Sequence, residues 1–140
     1  MLPPVLWHAS RAAIDRPTLA GRTVGDNHAN SGLGLFCATE PADYIARFGA
    51  TIFALTLVDS PRIMPLTIQE LSKMGMPMAL HGETGSREWF EQQGREWAKE
   101  YDAVALVEAS GEIHQAIVLR DSAIVACAKM SVEDYLRAVV

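Results

Sequence analysis

The stretch 102–120, DAVALVEASGEIHQAIVLR, decides the fold class. Residues 102–109 and 112–120 are two runs rich in aliphatic and β-branched side chains, which is typical of strands. Ser110 and Gly111 separate the runs and favour a tight turn, so the sequence predicts a β-hairpin. The helical patterns elsewhere do not alternate regularly with strands, as they would in a doubly wound sheet, and we therefore predict an α+β fold.

Further strands are predicted on both sides of this hairpin. Residues 5–9 (VLWHA) and 32–39 (GLGLFCAT) form two apolar runs near the N-terminus. Residues 50–58 (ATIFALTLV) are almost entirely apolar or β-branched, which predicts a central strand covered on both faces. A last strand is expected at about 122–128.

Helix signals interrupt the strands. The predicted helices cover residues 40–48, 67–74, 86–101 and 131–139, and the third carries a core-facing stripe of Trp89, Phe90, Trp97 and Tyr101. Thr39, Thr67 and Ser131 stand at N-terminal capping positions, and Gly49 is a stop signal for the first helix. Because proline breaks helices, residues 74–80 (MGMPMAL) are predicted to be irregular.

Composition limits the class of protein. The chain has 140 residues, 49% of them hydrophobic, which predicts a single domain over residues 1–140. Twelve Lys and Arg against seventeen Asp and Glu leave a net charge of −5, so we do not expect a nucleic-acid partner. The sequence has no repeats or low-complexity tracts, which excludes solenoid and fibrous classes.

Cys37 and Cys127 lie in apolar runs without the spacing of zinc ligands. We expect buried free thiols in a reducing compartment, with a disulfide as the alternative. The polar stretch 26–30 outlines no metal site either, so no metal is expected. Because neither a signal peptide nor a membrane span of roughly 18 apolar residues is found, we expect a cytoplasmic protein without membrane association.

Gln115 is conspicuous in the second strand of the hairpin. Strict alternation would place it on an apolar face with Ile113 and Ile117, whereas Glu112 and His114 would lie on the opposite face. An unpaired amide on an apolar face costs about 1–3 kcal/mol, so Gln115 needs hydrogen-bond partners or a ligand. Glu112 is expected to be a solvated turn residue.

His8 and Cys37 are candidate functional residues, although residues of these types in apolar strands usually have a structural role. A lone histidine in an apolar strand is more often a hydrogen-bonded core residue than a ligand-binding one. Cys37 could act as a nucleophile with one of the four histidines, His8, His28, His81 or His114, but its apolar strand favours an inert thiol.

Three motifs follow one another along the chain. The first is His8-Ala9-Ser10 at the end of the first strand. The second is a Gly-aromatic strand, a helix opened by Glu and Pro, and an aromatic-Gly end, with the residues Gly34, Phe36, Tyr44, Phe48 and Gly49. The third is HQAIVLRDSAI over 114–124. Their order resembles the ADP-ribosyltransferase fold family, in its diphtheria-toxin and poly-ADP-ribose-polymerase branch, over roughly residues 5–50 and 95–125.

The resemblance implies a split β-sandwich with flanking helices and a cleft that binds NAD as substrate. His8 would orient the dinucleotide, the backbone of Ala9 and the side chain of Ser10 would hold the nicotinamide carboxamide, and Tyr44 would stack on its ring. Gly34, Phe36 and Phe48 would line the same cleft. Arg11, Arg16 and Arg22 flank the polar loop and could meet the pyrophosphate, with at least two of the three expected to be solvated charges; Arg22 is the candidate that we assign to this contact.

This chain departs from the family pattern at two positions. Ala9 stands where the family usually has glycine, which keeps the residue small. Gln115 stands where the family has its catalytic glutamate. An amide can hold a ribose hydroxyl but cannot take a proton, so Gln115, with His8 and Tyr44, is a catalytic candidate of altered chemistry.

Two classes of function remain open at this point. One is a mono-ADP-ribosyltransferase that breaks the nicotinamide-ribose bond of NAD and modifies a macromolecular acceptor, for which we expect a protein. The other is a catalytically silent domain of the same fold that binds a nucleotide or a partner protein, as a bacterial or phage effector would. NAD-dependent transfer of an RNA 2′-phosphate is a third reading, which the charge of −5 disfavours.

Overall fold

A computed structural model describes residues 2–10, 16–19, 32–40, 51–78, 82–131, 133–134 and 137. These residues form strands and two long helices, so the prediction of an α+β fold is confirmed. In chain order the elements are β1 (Val5–Ser10), β2 (Leu35–Ala38), β3 (Thr51–Leu57), β4 (Ile63–Thr67), α1 (Ile68–Met78), α2 (Gly82–Trp97), β5 (Ala103–Val107), β6 (Ile113–Val118) and β7 (Ile124–Ser131). The predicted helix over 40–48 lies outside the described residues beyond Glu40.

Hydrogen bonding joins the strands into one seven-stranded sheet in the order β4-β5-β6-β2-β1-β3-β7. β4 and β5 run parallel, and all other neighbours run antiparallel. β3, predicted as a central strand, is an interior strand next to the edge strand β7, and β2 occupies the middle. β3 is nevertheless covered on both faces, as its apolar run predicts, because Ile52 and Phe53 point to opposite faces and are both buried.

The sheet is nearly divided between β1 and β2. β1 pairs with β3 over its whole length, from Val5 to Ser10, but pairs with β2 only at Trp7–Ala38. One part of the sheet is therefore β4-β5-β6-β2 and the other is β1-β3-β7. Among the described residues, one ladder pair and the hydrogen bond between the His8 ring and the Phe36 carbonyl join the two parts. We call the stretch of β1 and β2 beyond this pair, on the Ser10 side, where the described residues form no further ladder pairs, the opening.

The two faces of the sheet bury different clusters. The strand-side core contains Leu6, Leu19, Leu35, Cys37, Phe53, Leu55, Leu57, Ala116, Val118, Ala123 and Ile124. The helix-side core contains Leu33, Leu66, Phe90, Val104, Leu106, Ile117 and Leu119. Both parts of the sheet supply the strand-side core, whereas α2 covers the helix-side core through Phe90.

The segment between β3 and β5 departs most from its prediction. No strand is predicted over residues 63–67, where the structure has β4. β4 contains Pro65, which an edge strand tolerates. α1 begins at the predicted cap, since the Glu70 N–H donates to Thr67 Oγ1 at 3.0 Å and the Thr67 N–H donates to Glu70 Oε1 at 3.2 Å. The prediction that 74–80 is irregular is wrong as far as the end of α1, because the helix includes Pro77 in its last turn.

α2 carries the predicted aromatic stripe. It begins before Ser86 and ends at Trp97, not at Tyr101. Phe90 is buried, and Trp89, Trp97 and Tyr101 pack against the helix-side core, so their assignment to the core is confirmed. None of the helices in the described part of the chain is long and apolar enough to cross a membrane.

An ion-pair network fixes the start of β5. Asp102 Oδ2 accepts from the Arg62 N–H at 2.8 Å, and Asp102 Oδ1 accepts from Arg120 Nε at 2.8 Å. Arg120 also donates to the Ala98 carbonyl after α2, at 3.1 Å. Burial raises the pKa of Asp102, but the hydrogen bonds and charges of Arg62 and Arg120 outweigh it, so that pKa lies below its usual value. Asp102 thus ties β4, β6 and α2 together.

β7 is longer than predicted and runs from Ile124 to Ser131. Ser131 Oγ accepts a hydrogen bond from the Asp134 N–H at 3.1 Å, as expected for the cap of a terminal helix. The described residues of that segment, 133, 134 and 137, are helical.

Candidate functional site

The three strands that carry the sequence motifs are neighbours in the sheet. β2 lies between β1 and β6, although β2 and β6 are far apart in the sequence. Ala38 in β2 pairs with Trp7 in β1 on one side and with Gln115 in β6 on the other. Trp7, Ala38 and Gln115 therefore form one row across three strands, and paired residues point to the same face.

His8 lies at the opening. Its Nδ1 is 2.8 Å from the carbonyl oxygen of Phe36, across the space where β1 and β2 no longer pair. Because a carbonyl only accepts, Nδ1 carries the hydrogen, and Nε2 is the acceptor of the neutral ring. The His8 ring also lies 6.5 Å from the ring of Phe53, its cross-strand partner in β3. His8 is thus a hydrogen-bonded strand residue whose tautomer the backbone of β2 selects.

Backbone from the first motif lies beside the opening. Ala9 and Ser10 pair with β3 on one side, and the described register gives them no partner in β2 on the other. A backbone edge of this kind can bind an amide, because it presents both donors and acceptors. The nicotinamide carboxamide expected from the resemblance has matching groups. For Ser10, only the backbone belongs to the part of the chain that the structure describes.

The start of β2 is held by two close backbone approaches. A Cβ on Gly34 would collide with the Val118 carbonyl oxygen of β6 and lie 2.9 Å from Ile117 Cγ2. A Cβ on Gly94 of α2 would collide with the Leu33 carbonyl oxygen and lie 2.9 Å from its carbonyl carbon. Both positions therefore require glycine, which allows residues 32–34 to wedge between α2 and β6. Gly34 acts here through packing.

The structure does not bring every predicted residue to one face. Phe36 is partly buried and packs against the helix-side core, the same side as Gln115, whose partner is Leu106. His8 lies on the other face with Phe53. The predicted site residues Tyr44, Phe48 and Arg22, and also Arg11, lie outside the described residues, whereas Arg16 is described and exposed.

The prediction for residues 112–115 is wrong in one respect. Gln115 pairs with Leu106, but Ile113 pairs with Val107, so the register shifts by one residue. Because Leu106 and Val107 point to opposite faces, Gln115 and Ile113 do too, and His114 is the extra residue of a β-bulge. The shift turns His114 toward the face that carries Gln115, where strict alternation placed it on the other.

A cluster of ionisable side chains surrounds His114. Its Nε2 lies 3.0 Å from Glu112 Oε2 and 3.6 Å from Glu108 Oε2. The turn fixes the backbone of both glutamates, because the Glu108 N–H donates to the Glu112 carbonyl at 2.9 Å and Gly111 adopts a φ of 88°. Their ligand atoms all lie within 4.8 Å of one another, and imidazole and carboxylate are donor types that Zn²⁺ accepts. Alternation already placed Glu112 and His114 on one face, but it could not bring Glu108 of the preceding strand beside them, because that contact depends on the pairing of β5 with β6.

The cysteines are free thiols, as predicted. Cys37 is fully buried in the strand-side core, and burial raises the pKa of its thiol far above the usual value. A thiol that stays protonated is a poor nucleophile, so Cys37 does not provide the alternative catalytic centre. Burial also raises the pKa of the half-buried Cys127, an effect that the charge of Arg16 partly opposes.

Comparison with known proteins identifies one solved structure of similar shape. It is the crystal structure of an anti-CRISPR protein, which matches with a TM-score of 0.44 and 16% sequence identity, over 90% of this chain and 94% of that chain. No protein-family model matches the sequence, and no curated protein matches it.

Proposed function

We propose that this chain is a mono-ADP-ribosyltransferase that cleaves the nicotinamide-ribose bond of NAD and transfers ADP-ribose to a macromolecular acceptor, a protein. The observation that carries the proposal is the adjacency of β1, β2 and β6, which brings Trp7, Ala38 and Gln115 into one row. The motifs on these strands are far apart in sequence and have no local reason to lie on neighbouring strands. A shared NAD site requires neighbouring strands of this kind, although His8 and Gln115 point to opposite faces of the sheet.

The division of the sheet also supports a split β-sandwich with flanking helices. The parts β4-β5-β6-β2 and β1-β3-β7 meet at one residue pair, and residues of both parts build the strand-side core. A cleft formed at such a division would have backbone donors and acceptors on one wall, with His8, whose Nδ1 lies 2.8 Å from the Phe36 carbonyl oxygen, beside them. Nicotinamide and ribose are recognised by groups of this kind.

The proposed reaction needs positioning more than covalent chemistry. The nicotinamide-ribose bond breaks toward an oxocarbenium-like ribosyl cation, which oriented polar groups stabilise. Gln115 would hold a hydroxyl of the nicotinamide ribose, His8 would orient the adenosine side, and Tyr44 would stack on the nicotinamide. Because an amide takes no proton, Gln115 itself cannot activate the acceptor.

The test is titration with NAD followed by incubation of labelled NAD with cell lysate. We expect NAD binding, and label on protein but not on RNA. Gln115→Ala should weaken binding or transfer by about 1–3 kcal/mol through the lost hydrogen bond. Gln92→Ala on the exposed side of α2 is the matched control and should change neither. If wild type binds no NAD, or if His8→Ala with Tyr44→Ala leaves NAD affinity unchanged, the proposed cleft is wrong.

Gln115 is also the observation that favours a second candidate, a silent domain of the same fold that binds a nucleotide or a partner protein. NAD binding without release of nicotinamide, with every acceptor in the lysate present, would support it. Gln115→Glu separates the two further, because a carboxylate can activate water and should raise NAD hydrolysis in a protein that positions NAD for cleavage.

A further inference from the structure

The turn end of the β5–β6 hairpin brings three metal-binding side chains together. Glu108 directly follows β5, Glu112 directly precedes β6, and His114 lies within β6. The hydrogen bond from the Glu108 N–H to the Glu112 carbonyl makes the two glutamates cross-strand neighbours, whose side chains share a face. The bulge turns His114 to that face as well. The backbone of the hairpin therefore explains why an imidazole and two carboxylates meet here.

The distances within this cluster fit a bound zinc ion. Donor atoms at about 2.0–2.2 Å from a tetrahedral Zn²⁺ lie about 3.3–3.6 Å from one another. The Nε2 atom of His114 lies 3.0 Å from Glu112 Oε2 and 3.6 Å from Glu108 Oε2, within a few tenths of an ångström of that spacing. All three ligand atoms lie within 4.8 Å of one another, and the side chains of Glu108 and Glu112 are 41% and 68% exposed. Small rotations of the two exposed carboxylates are enough to complete the coordination.

The kinds of donor in the cluster favour a transition metal ion. Mg²⁺ and Ca²⁺ prefer sites made of oxygen atoms alone, whereas imidazole nitrogen suits Zn²⁺. The ion would replace the proton that now lies between Nε2 and the carboxylates, so binding uses contacts that the cluster already has. A divalent cation also offsets the repulsion between two carboxylates held close together.

We propose that Glu108, Glu112 and His114 bind one Zn²⁺ ion, through His114 Nε2 and one carboxylate oxygen of each glutamate. Three protein ligands leave the fourth position of a tetrahedral ion to water. The ion would join the end of β5 to the start of β6 and so close the hairpin. The register places the cluster beyond the Trp7–Ala38 pair, on the side away from the opening, and the inference does not depend on the proposed function.

The test is calorimetric titration of ZnCl₂ into tag-free protein from which a chelator has removed metal ions. We expect the wild type to bind one ion per chain. His114→Ala, Glu108→Gln and Glu112→Gln should each lower the affinity for zinc by at least about tenfold, because loss of a group that only supports a ligand already costs about 10–100-fold. MgCl₂ or CaCl₂ at the same concentration should not displace the zinc.

Two control variants keep the cluster and remove other groups that bind metal ions. Glu96→Gln is the matched control for the glutamates, since Glu96 is also an exposed carboxylate with a basic partner, Lys99, at 2.9 Å. Cys127→Ser removes the thiol that is not fully buried. Both variants should bind zinc as the wild type does.

Thermal unfolding gives a second measurement that does not depend on the heat of binding. The three ligands come together only in the folded hairpin, so zinc should raise the melting temperature of the wild type and raise it less in each ligand variant. The melting temperatures without zinc show that the variants fold, which we expect because the substituted side chains are at least 41% exposed.

The inference is overturned if the wild type binds no zinc, or if the zinc affinity is unchanged in any one of the three ligand variants. Loss of zinc binding in Cys127→Ser would also overturn it, because the ion would then be held by a thiol. Displacement of the zinc by Mg²⁺ or Ca²⁺ would show that the imidazole is not a ligand, and would overturn it too.

Discussion

Gly94→Ala is expected to destabilise the protein although alanine favours helices. In α2, alanine would contribute about 1 kcal/mol over glycine from helix propensity alone. The new Cβ, however, would collide with the Leu33 carbonyl oxygen and approach the Leu33 carbonyl carbon and Cα to 2.9 and 3.1 Å. These are backbone atoms that cannot rotate away, and residues 32–34 cannot retreat because Gly34 already touches the backbone of β6. The helix itself must move outward.

The loss of stability comes from the side-chain contacts that this movement of the helix weakens. A gap of about 0.5–1 Å forfeits a quarter to a half of the dispersion attraction across it. Leu33 and Phe90 are almost fully buried between α2 and the sheet, and each contributes about 1.5–3 kcal/mol through burial. When the gain from helix propensity is subtracted from this loss, we expect the free energy of unfolding to fall by about 1–2 kcal/mol.

Urea denaturation followed by circular dichroism measures this change, with Gln92→Ala on the exposed side of the same helix as the control. That control should be neutral or slightly stabilising. Under the proposed function, NAD affinity should fall in Gly94→Ala as well, since β2 begins directly after the displaced residues. A Gly94→Ala protein as stable as wild type would refute the reasoning, because it would show that α2 and residues 32–34 can separate at no cost.

Two further predictions concern stability and reactivity. Asp102→Asn should destabilise the protein by about 2 kcal/mol at neutral pH, less than a fully buried pair would cost because Arg120 is one third exposed. The pKa of Asp102 is lower in the folded than in the unfolded state. The stabilisation that the ionised carboxylate provides is therefore complete above the unfolded pKa and is lost as the pH falls through the folded pKa. The unfolding free energies of wild type and variant should converge below about pH 4. Of the two thiols, only Cys127 should react with a thiol reagent in the native protein at pH 8, and slowly, because burial raises its pKa. Fast labelling of Cys37 before unfolding would contradict its burial.

The sequence predicts most elements for identifiable reasons. The hairpin of β5 and β6 is a local structure whose apolar runs and glycine turn are adjacent in the chain, and both strands form as expected. The helix cap at Thr67 depends on residues three positions apart, and its hydrogen bonds are present. The aromatic stripe of α2 is likewise a periodic local pattern. These signals are carried within a few residues, and the elements that they predict are present, whereas the local signal of Pro77 for a helix break is wrong.

The features that sequence reasoning missed depend on tertiary context. A proline argues against β4 only if the strand is interior, and position in the sheet is not visible in the pattern. A strand buried on both faces need not be central, as β3 shows. Strict alternation places His114 away from Gln115, and one bulge reverses this. The face that His114 occupies is thus not visible in a sequence pattern that assumes a regular strand.

The single residue pair between β1 and β2 also has a consequence for how the chain is assembled during synthesis. β1 finds its partner in β3 early, but β2 pairs over its length only with β6, near the C-terminal end. Long-range pairing of this kind is slow, and on a ribosome it waits until the later strand emerges. The wall of the opening that belongs to β2 is then completed among the last parts of the molecule. A nascent chain stalled before β6 should leave β2 sensitive to protease, and resistance at that stage would show that another segment holds it.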